Sequence, residues 1–303
     1  MVRLKRRNAI KMSVGEMIAS SINYTVVTLF ALACVYPIIN VVAGSFSNYY
    51  KFLASPWTIW PIGFNTQAYE QVLGNSTFWR SYGNSIFITA VGTVAGLFIT
   101  SLTAYPLSRH ELKGKPVIMG LLIFTMIFGA GMVPGYINTK ELGLLDTLTV
   151  QWLPGCFGAY NTILMINFFK GIAYDYIEAA TIDGASEPYI YARIILPLSK
   201  PVMASIALFL AVGYWNSYFG AQLYVRNREL WPMALVLKEM LNESAAKILA
   251  IEESGAAEDI SELIMPKTIQ YASVAIATVP ILCIYPFLQK YFAKGVNLGG
   301  VKG

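Results

Sequence analysis

The chain has 303 residues, of which 56% are apolar or aromatic and only 13% are charged. Soluble domains carry about 25% charged residues, so this composition excludes an ordinary soluble protein. The net charge of +5 is spread along the chain instead of forming a basic domain. We therefore expect membrane lipid as the main environment and no binding of nucleic acid.

The first apolar run follows a strongly basic N-terminal segment. Such a segment before an apolar run is also typical of a signal peptide. Here, however, the run continues through Cys34 to Gly44, so cleavage near the cysteine would leave an apolar mature terminus. We therefore predict an uncleaved first transmembrane helix.

Six apolar runs in chain order predict six transmembrane helices, because about 20 apolar residues cross the bilayer hydrocarbon. The runs cover residues 22–45, 84–105, 116–137, 148–169, 201–223 and 268–291. Each run is apolar on most of its faces, as a helix surrounded by lipid should be. We predict an all-α membrane protein with a single transmembrane domain over residues 1–303.

The distribution of Lys and Arg predicts the orientation of the spans. The N-terminal segment, the 106–115 and 170–200 segments and the C-terminal tail carry 14 of the 22 basic residues, and the opposite segments carry 8. Basic residues are enriched on the cytoplasmic side. We therefore expect both termini in the cytoplasm and the 46–83 and 226–267 loops outside.

Glycine pairs in the second and third spans indicate close helix approach. Gly92 with Gly96, and Gly131 with Gly135, have the four-residue spacing of small residues at membrane helix interfaces. Pro134 is a candidate kink within the third span.

Cysteine and histidine usage gives no sign of metal or disulfide chemistry. Cys34, Cys156 and Cys283 all lie in apolar runs without a C-x-x-C pair, and His110 is the single histidine. We expect three small buried side chains and no metal site.

The 170–200 segment is longer than the connection between two spans needs to be. The residues around Glu178 predict a short helix with this carboxylate in its first turn, where the helix dipole favours it. Gly184 suits the left-handed conformation that ends a helix, and Ser186 and Pro188 are typical of a helix start. We predict a helix–turn–helix on the cytoplasmic surface.

This segment has the spacing E-A-A-x-x-x-G-x9-I-x-L-P. The matching positions are Glu178, Ala179, Ala180, Gly184, Ile194, Leu196 and Pro197. The segment resembles the signature loop of permeases of binding-protein-dependent importers of the ATP-binding-cassette (ABC) class. The stretch at 213–216 and the tail at 292–303 resemble the carbohydrate-uptake branch, in particular its subgroup for complex oligo- and polysaccharides.

The resemblance implies a type I ABC importer permease fold in a bacterial cytoplasmic (inner) membrane. It also implies that the loop is a coupling helix that docks on an ATPase, with Asp183 beside the matching positions. The implied partners are a second, homologous permease subunit, two cytoplasmic ATPase subunits and an extracytoplasmic solute-binding protein. ATP and Mg would bind at the ATPase subunits, and this chain, which lacks a G-x-x-x-x-G-K-[ST] run, would bind no cofactor.

Polar and aromatic residues inside the fourth and fifth spans are candidates for the substrate pathway. They are Gln151, Asn161, Tyr214, Trp215, Asn216, Tyr218 and Phe219. Aromatic faces cover the C–H patches of sugars and amides bond their hydroxyls, so this set suits an oligosaccharide. The alternative for Tyr214, Trp215 and Tyr218 is an aromatic belt at the membrane interface or a packed subunit interface.

The sequence therefore favours a transport subunit over an enzyme, with oligosaccharides or polysaccharide fragments as cargo. One alternative is the same type of permease for amino acids, peptides or metal chelates. Another is an intramembrane enzyme or sensor. The acids Asp175, Glu178, Asp183 and Glu187 have no companion nucleophile in sequence, which argues against a hydrolase.

Overall fold

A computed structural model describes residues 13–55, 57–254 and 268–283, and their regular structure is entirely helical. We number the helices α1 to α14 in chain order. They are Val14–Ser45, Tyr49–Ala54, Gln67–Gly74, Ser76–Ser108, Lys115–Ile127, Met132–Glu141, Ala159–Lys170, Asp175–Ile182, Glu187–Ile190, Leu196–Leu198, Lys200–Trp215, Phe219–Tyr224, Met233–Ser254 and Thr268–Cys283.

The first two spans are single helices that begin earlier than predicted. Helix α1 starts at Val14 because the Ser13 side chain and Glu16 form a reciprocal capping box. Helix α4 starts at Ser76, since the Asn75 side chain accepts hydrogen bonds from the backbone amides of Thr77 and Phe78. The predicted 46–83 loop is consequently shorter, and it contains the short helices α2 and α3.

The third span is broken, which corrects the prediction of one helix over 116–137. Helices α5 and α6 meet at an angle of 114°. The break falls at Phe128–Gly131, where Gly131 has a φ of +84°. Pro134 lies in the first turn of α6 and is not the bend. The glycines at the break favour it because glycine has a low helix propensity.

The fourth and fifth spans are also not continuous helices. In the predicted span 148–169, residues up to Gly155 form two 3-10 turns, and only α7 is an α-helix. Pro154 and the glycines around it account for the interruption. In the span 201–223, α11 ends at Trp215 and α12 begins at Phe219, with three residues between them.

The predicted outer loop at 226–267 contains a helix, α13, which occupies more than half of it. The rest of that loop, 255–267, lies outside the described residues. The sixth span, 268–291, is described as far as Cys283, and α14 occupies that part.

Two described helices, α1 and α4, are long and apolar enough to cross a membrane alone. The bent pair of α5 and α6, and the 187–198 segment with α11, each pass the same test together. The count of six spans therefore stays a prediction, although most of each predicted apolar run is helical.

Helix α4 is the central element of the packing. It packs mainly against α11 and α7. One buried cluster joins α4 to α7, α11 and the 170–200 loop through residues such as Met165, Ile195 and Ile206. A second cluster joins its other end to α3, α13 and α14 around Phe78 and Met233. By contrast, α1 is buried only at its last residues, 43–45.

The close approach predicted at Gly92 and Gly96 is confirmed. A Cβ at Gly92 would lie 2.6 Å from the ring of Tyr214, and one at Gly96 would lie 2.9 Å from Leu210. Both neighbours belong to α11, so the glycines allow α4 and α11 to touch. At Gly131 a Cβ would meet only Pro134 of the same segment, so this glycine serves the bend rather than a crossing.

The expectation of three buried cysteines is only partly met. Cys156 is buried, whereas Cys34 and Cys283 are exposed within this chain. All three thiols are free. Within the described ranges, no group of three or more His, Cys, Asp or Glu side chains could hold a metal ion.

Candidate functional site: a surface loop and an opposite cleft

The 170–200 loop folds as the predicted helix–turn–helix. Helix α8 carries Glu178 in its first turn, and Gly184 turns the chain with a φ of +81°. Helix α9 begins at Glu187 with Pro188 in its first turn. Ser186 has the extended backbone of an N-cap, but its side chain makes no capping hydrogen bond. The turn is therefore determined mainly by the glycine and the proline.

The loop is held to the helix bundle on one side and exposed on the other. The buried side consists of Ile177, Ile190 and Ile195, each at most 6% exposed. On the other side Ile182 is 80% exposed. It lies beside the exposed Asp183 and Gly184, so this side of the loop is open to contact.

The predicted coupling residues are spread over both parts of the loop. On and just after α8, Glu178, Ala179, Asp183 and Gly184 are exposed and Ala180 is half-buried. On the return segment the backbone forms a π turn over Tyr191–Ile195 before α10. There Ile194 and Leu196 are half-buried and Pro197 is exposed. The first group is free for contact, and Ile194 packs against the core cluster.

The C-terminal end of α4 is bonded to this loop. The Tyr105 hydroxyl donates to one carboxylate oxygen of Glu187, and Arg109 Nη2 donates to the other at 2.9 Å. One turn along the loop, the Tyr191 hydroxyl lies 2.7 Å from Ser101 Oγ. Both oxygens of Glu187 are thus bonded by α4 and the residue that follows it.

A second set of contacts surrounds Arg109, whose side chain is 14% exposed. Its guanidinium carbon lies 5.9 Å from the Tyr105 ring and 5.8 Å from the Tyr174 ring. The Tyr174 hydroxyl donates to Glu111 at 2.8 Å. The Glu111 backbone amide and this hydroxyl lower the pKa of the Glu111 carboxyl, while the same contact raises the pKa of Tyr174.

At the opposite end of α11 the structure separates the predicted pathway residues. Tyr214 is buried, and its hydroxyl donates to the Trp152 carbonyl at 2.9 Å. Trp215 is also buried, and its indole N–H donates to the Ala277 carbonyl at 3.2 Å. Asn216, Tyr218 and Phe219 follow the end of α11 and are exposed. Consecutive residues at a helix end thus face different surroundings.

An open cleft of about 340 Å³ lies on the side of α11 that faces the 3-10 turns. Its polar lining comes from Gln151, Ser217, Tyr214 and Tyr224, and Gly213 and Gly220 leave it room. The amide nitrogen of Gln151 donates to the Leu230 carbonyl at 2.9 Å, whereas its oxygen is buried and has no hydrogen-bond partner among the described residues. Asn161 does not line this cleft.

The turn at 226–231 closes over the same region. Asp146, at a positive φ of 57°, accepts from the backbone amides of Arg226 and Asn227. The Asn84 amide donates to two carbonyls of the turn, at 2.8 Å and 3.1 Å. Side chains from two distant segments therefore hold this turn, and neither set of contacts is visible as a sequence pattern.

Sequence reasoning missed Ser217 and Tyr224 in the cleft, and Ser101, Tyr105, Arg109 and Tyr191 at the loop. Ser101, Tyr105 and Arg109 recur every four residues, which puts them on one helix face. That spacing was a usable signal. Their partners in the loop could be found only from the fold.

The fold and these two sites define a class: a multi-pass helical membrane subunit that presents a surface loop at one end and a cleft at the other. Residues 112–298 match the family described as "Binding-protein-dependent transport system inner membrane component". The chain belongs to this family of membrane transport components, and it is a multi-pass protein with the type I permease fold.

Two relatives from Bacillus subtilis cover most of the chain. One is the polygalacturonan/rhamnogalacturonan transport system permease protein YtcP, 39% identical over 92% of this chain and 96% of its own length. The other is protein LplC, 42% identical over 89% of this chain and 90% of its own length.

A solved structure extends the likeness to three dimensions. It is a crystal structure of a bacterial ABC transporter involved in the import of the acidic polysaccharide alginate. One of its chains is 32% identical, with a TM-score of 0.80 over 94% of this chain and 100% of that chain.

Proposed function

We propose that this chain is one membrane-spanning subunit of an ATP-driven importer that moves oligosaccharides, including polysaccharide fragments, into the cytoplasm. The observation that carries the proposal is the relative named for polygalacturonan and rhamnogalacturonan transport, which is similar over nearly the full length. The likeness to a subunit of an alginate importer supports the same cargo class.

The 170–200 loop is the coupling element in this proposal. Its exposed side, with Glu178, Ala179, Asp183, Gly184 and Ile182, suits a groove on a partner protein because it combines carboxylates with an exposed apolar side chain. The partner in the proposal is an ATPase subunit that binds ATP and Mg. Closure of two such subunits would displace the loop and so change the helix packing.

The cleft beside α11 is the proposed contact for sugar. The Ser217 hydroxyl and the Tyr224 ring, beside the Gln151 side chain, offer a hydrogen-bonding group and an aromatic face together. Asn216, Tyr218 and Phe219 extend this polar and aromatic surface along the exposed chain after α11.

The complete importer in this proposal contains a second permease, two ATPase subunits and an extracytoplasmic binding protein. Helix α1 supports the need for further partners or lipid, because its apolar side chains are mostly exposed from Val14 to Val42, about 42 Å of helix at about 1.5 Å per residue. The charge distribution supports cytoplasmic termini and an inner-membrane location.

Uptake by the reconstituted complex tests the function. The chain, its partner permease, the ATPases and the binding protein are placed in proteoliposomes with oligogalacturonides, alginate oligosaccharides or maltodextrins as labelled cargo. We expect uptake of at least one of these that requires both ATP and the binding protein. Uptake of an amino acid, a peptide or a metal chelate with no sugar uptake would overturn the cargo class.

A further inference from the structure

The exposed half of the 170–200 loop accounts for contact with a partner, but it leaves open how a displacement of that loop reaches the membrane helices. One route is covalent, since the chain continues from α9 into α11. That route bends by 79° between the 187–198 segment and α11. Because the chain bends this sharply next to a π turn, a displacement of α9 is poorly transmitted along the backbone to α11.

A second route is formed by side chains. Ser101, Tyr105 and Arg109 lie one turn apart at the end of α4, and Glu187 and Tyr191 lie one turn apart on the loop. The two rows meet through the bonds described above, and the Tyr105 and Tyr191 rings lie 5.2 Å apart. We name these five residues the α4 clamp.

Charge and burial make the α4 clamp more than a surface contact. Arg109 is 14% exposed, and Glu187, at 57%, has both its oxygens occupied by α4 groups. Two bonds to one carboxylate restrict its direction as well as its distance. Lys115 also donates to the Arg109 carbonyl at 2.7 Å, which steadies the backbone of the arginine.

Helix α4 can carry the motion onward. Gly96, about one and a half turns before Ser101, touches Leu210, and Gly92, about two and a half turns before Ser101, touches Tyr214 at the wall of the cleft. Because these contacts leave no free space, a shift of α4 must move α11 or break the packing.

We infer that the α4 clamp is the positioning device that transmits displacement of the coupling loop to α4, and through α4 to the cleft. The inference rests on the proposed function. It assigns Arg109 and Glu187 a role in coupling that is separate from docking on the ATPase. Disrupting the α4 clamp should therefore lower the amount of sugar transported per ATP hydrolysed while leaving assembly of the importer intact.

The test uses the complete reconstituted importer and measures complex recovery, ATPase rate and sugar imported per ATP. We expect Glu187→Gln and Arg109→Gln to assemble normally and to lower sugar imported per ATP by roughly 3- to 30-fold, the range over which single contacts alter coupling between sites. The charge-exchanged double variant, Arg109→Glu with Glu187→Arg, should recover much of the ratio. Lys140→Gln, which removes an exposed charge in the last turn of α6, away from both the loop and the cleft lining, should match the wild type.

Glu178→Lys separates this inference from the proposed function. It should reduce recovery of the ATPase, because it alters the exposed face and not the clamp. An unchanged transport ratio in both single variants, or loss of ATPase recovery in them as in Glu178→Lys, would overturn the clamp. Failure of the wild-type complex to import sugar would instead contradict the proposed function.

Discussion

Gly184 shows how a single backbone conformation supports the loop. Its φ of +81° lies in the region that side chains with a branched Cβ avoid. A Cβ added there would meet no atom within 4 Å, so space is not limiting. A glycine is therefore favoured here by its backbone conformation and not by a lack of space around its Cα.

Replacing Gly184 therefore tests conformation directly. We expect Gly184→Val to cost about 1–2 kcal/mol in the turn and to lower ATPase recovery with the permease. Gly184→Asn should be much milder, because asparagine adopts the left-handed region more readily. Co-purification measures how much ATPase each variant retains. Equal amounts with Gly184→Val and Gly184→Asn would show that the turn does not depend on a positive φ at residue 184.

Trp215 and Asn216 are neighbours with different roles. Trp215→Ala should lower stability by about 3 kcal/mol, because it removes a large buried side chain. Asn216 is exposed, and its side chain donates to the carbonyl of Val212 in the preceding turn. Asn216→Ala should therefore leave stability near the wild type and slow transport.

Thermal unfolding and uptake per mole of purified complex separate the two effects. Unchanged uptake in Asn216→Ala would remove this residue from the proposed pathway. An unchanged melting temperature in Trp215→Ala would contradict the packing against α14.

At the scale of elements, α4 is the helix on which both sites depend. It touches α11 at Gly92 and Gly96, and its C-terminal end, with Arg109, bonds the 170–200 loop. The Tyr214 ring cannot easily move away from Gly92, because its hydroxyl donates to the Trp152 carbonyl and the ring also lies against Gly155. The contact at Gly92 is therefore rigid on both sides.

A methyl group at Gly92 should disturb this contact. Gly92→Ala places its Cβ 2.6 Å from Tyr214, and we expect a loss of about 1–3 kcal/mol from overpacking. The control is Gly83→Ala on the exposed side of α4, where a Cβ meets nothing within 4 Å. It should be neutral or stabilising by about 0.5–1 kcal/mol. Melting curves in detergent with similar shifts for both variants would contradict the predicted close contact.

At the scale of the whole molecule, the two sites lie at opposite ends of the bundle. The distribution of basic residues predicts the 170–200 loop in the cytoplasm and α13 outside. The proposed function requires this separation, since the loop would meet an ATPase while the cleft and the 226–231 turn would face the incoming cargo.

Cysteine labelling tests this orientation. In a background without Cys34, Cys156 and Cys283, a cysteine at the exposed position Asn242 should react with an impermeant thiol reagent added to intact cells. A cysteine at Ser186 should react only after permeabilisation. Labelling of both positions from the same side would overturn the predicted topology.

The sequence by itself determined the features that depend on local chemistry. Runs of apolar residues predicted the long apolar helices α1 and α4, and Gly184 with Pro188 predicted the turn, because backbone preferences act between neighbours. The spacing from Glu178 to Pro197 was sufficient to identify the transport family, to which the chain belongs.

Only the tertiary structure decided where the helices break and which side chains face inward. The interruptions at 128–131 and 216–218 lie within apolar runs, and an apolar run has the same composition whether lipid or protein surrounds it. Periodicity therefore could not separate the buried Tyr214 and Trp215 from the exposed Asn216. Likewise, Arg109 and Glu187 are 78 residues apart, and their contact arises from the packing of α4 against the loop, which no local preference encodes.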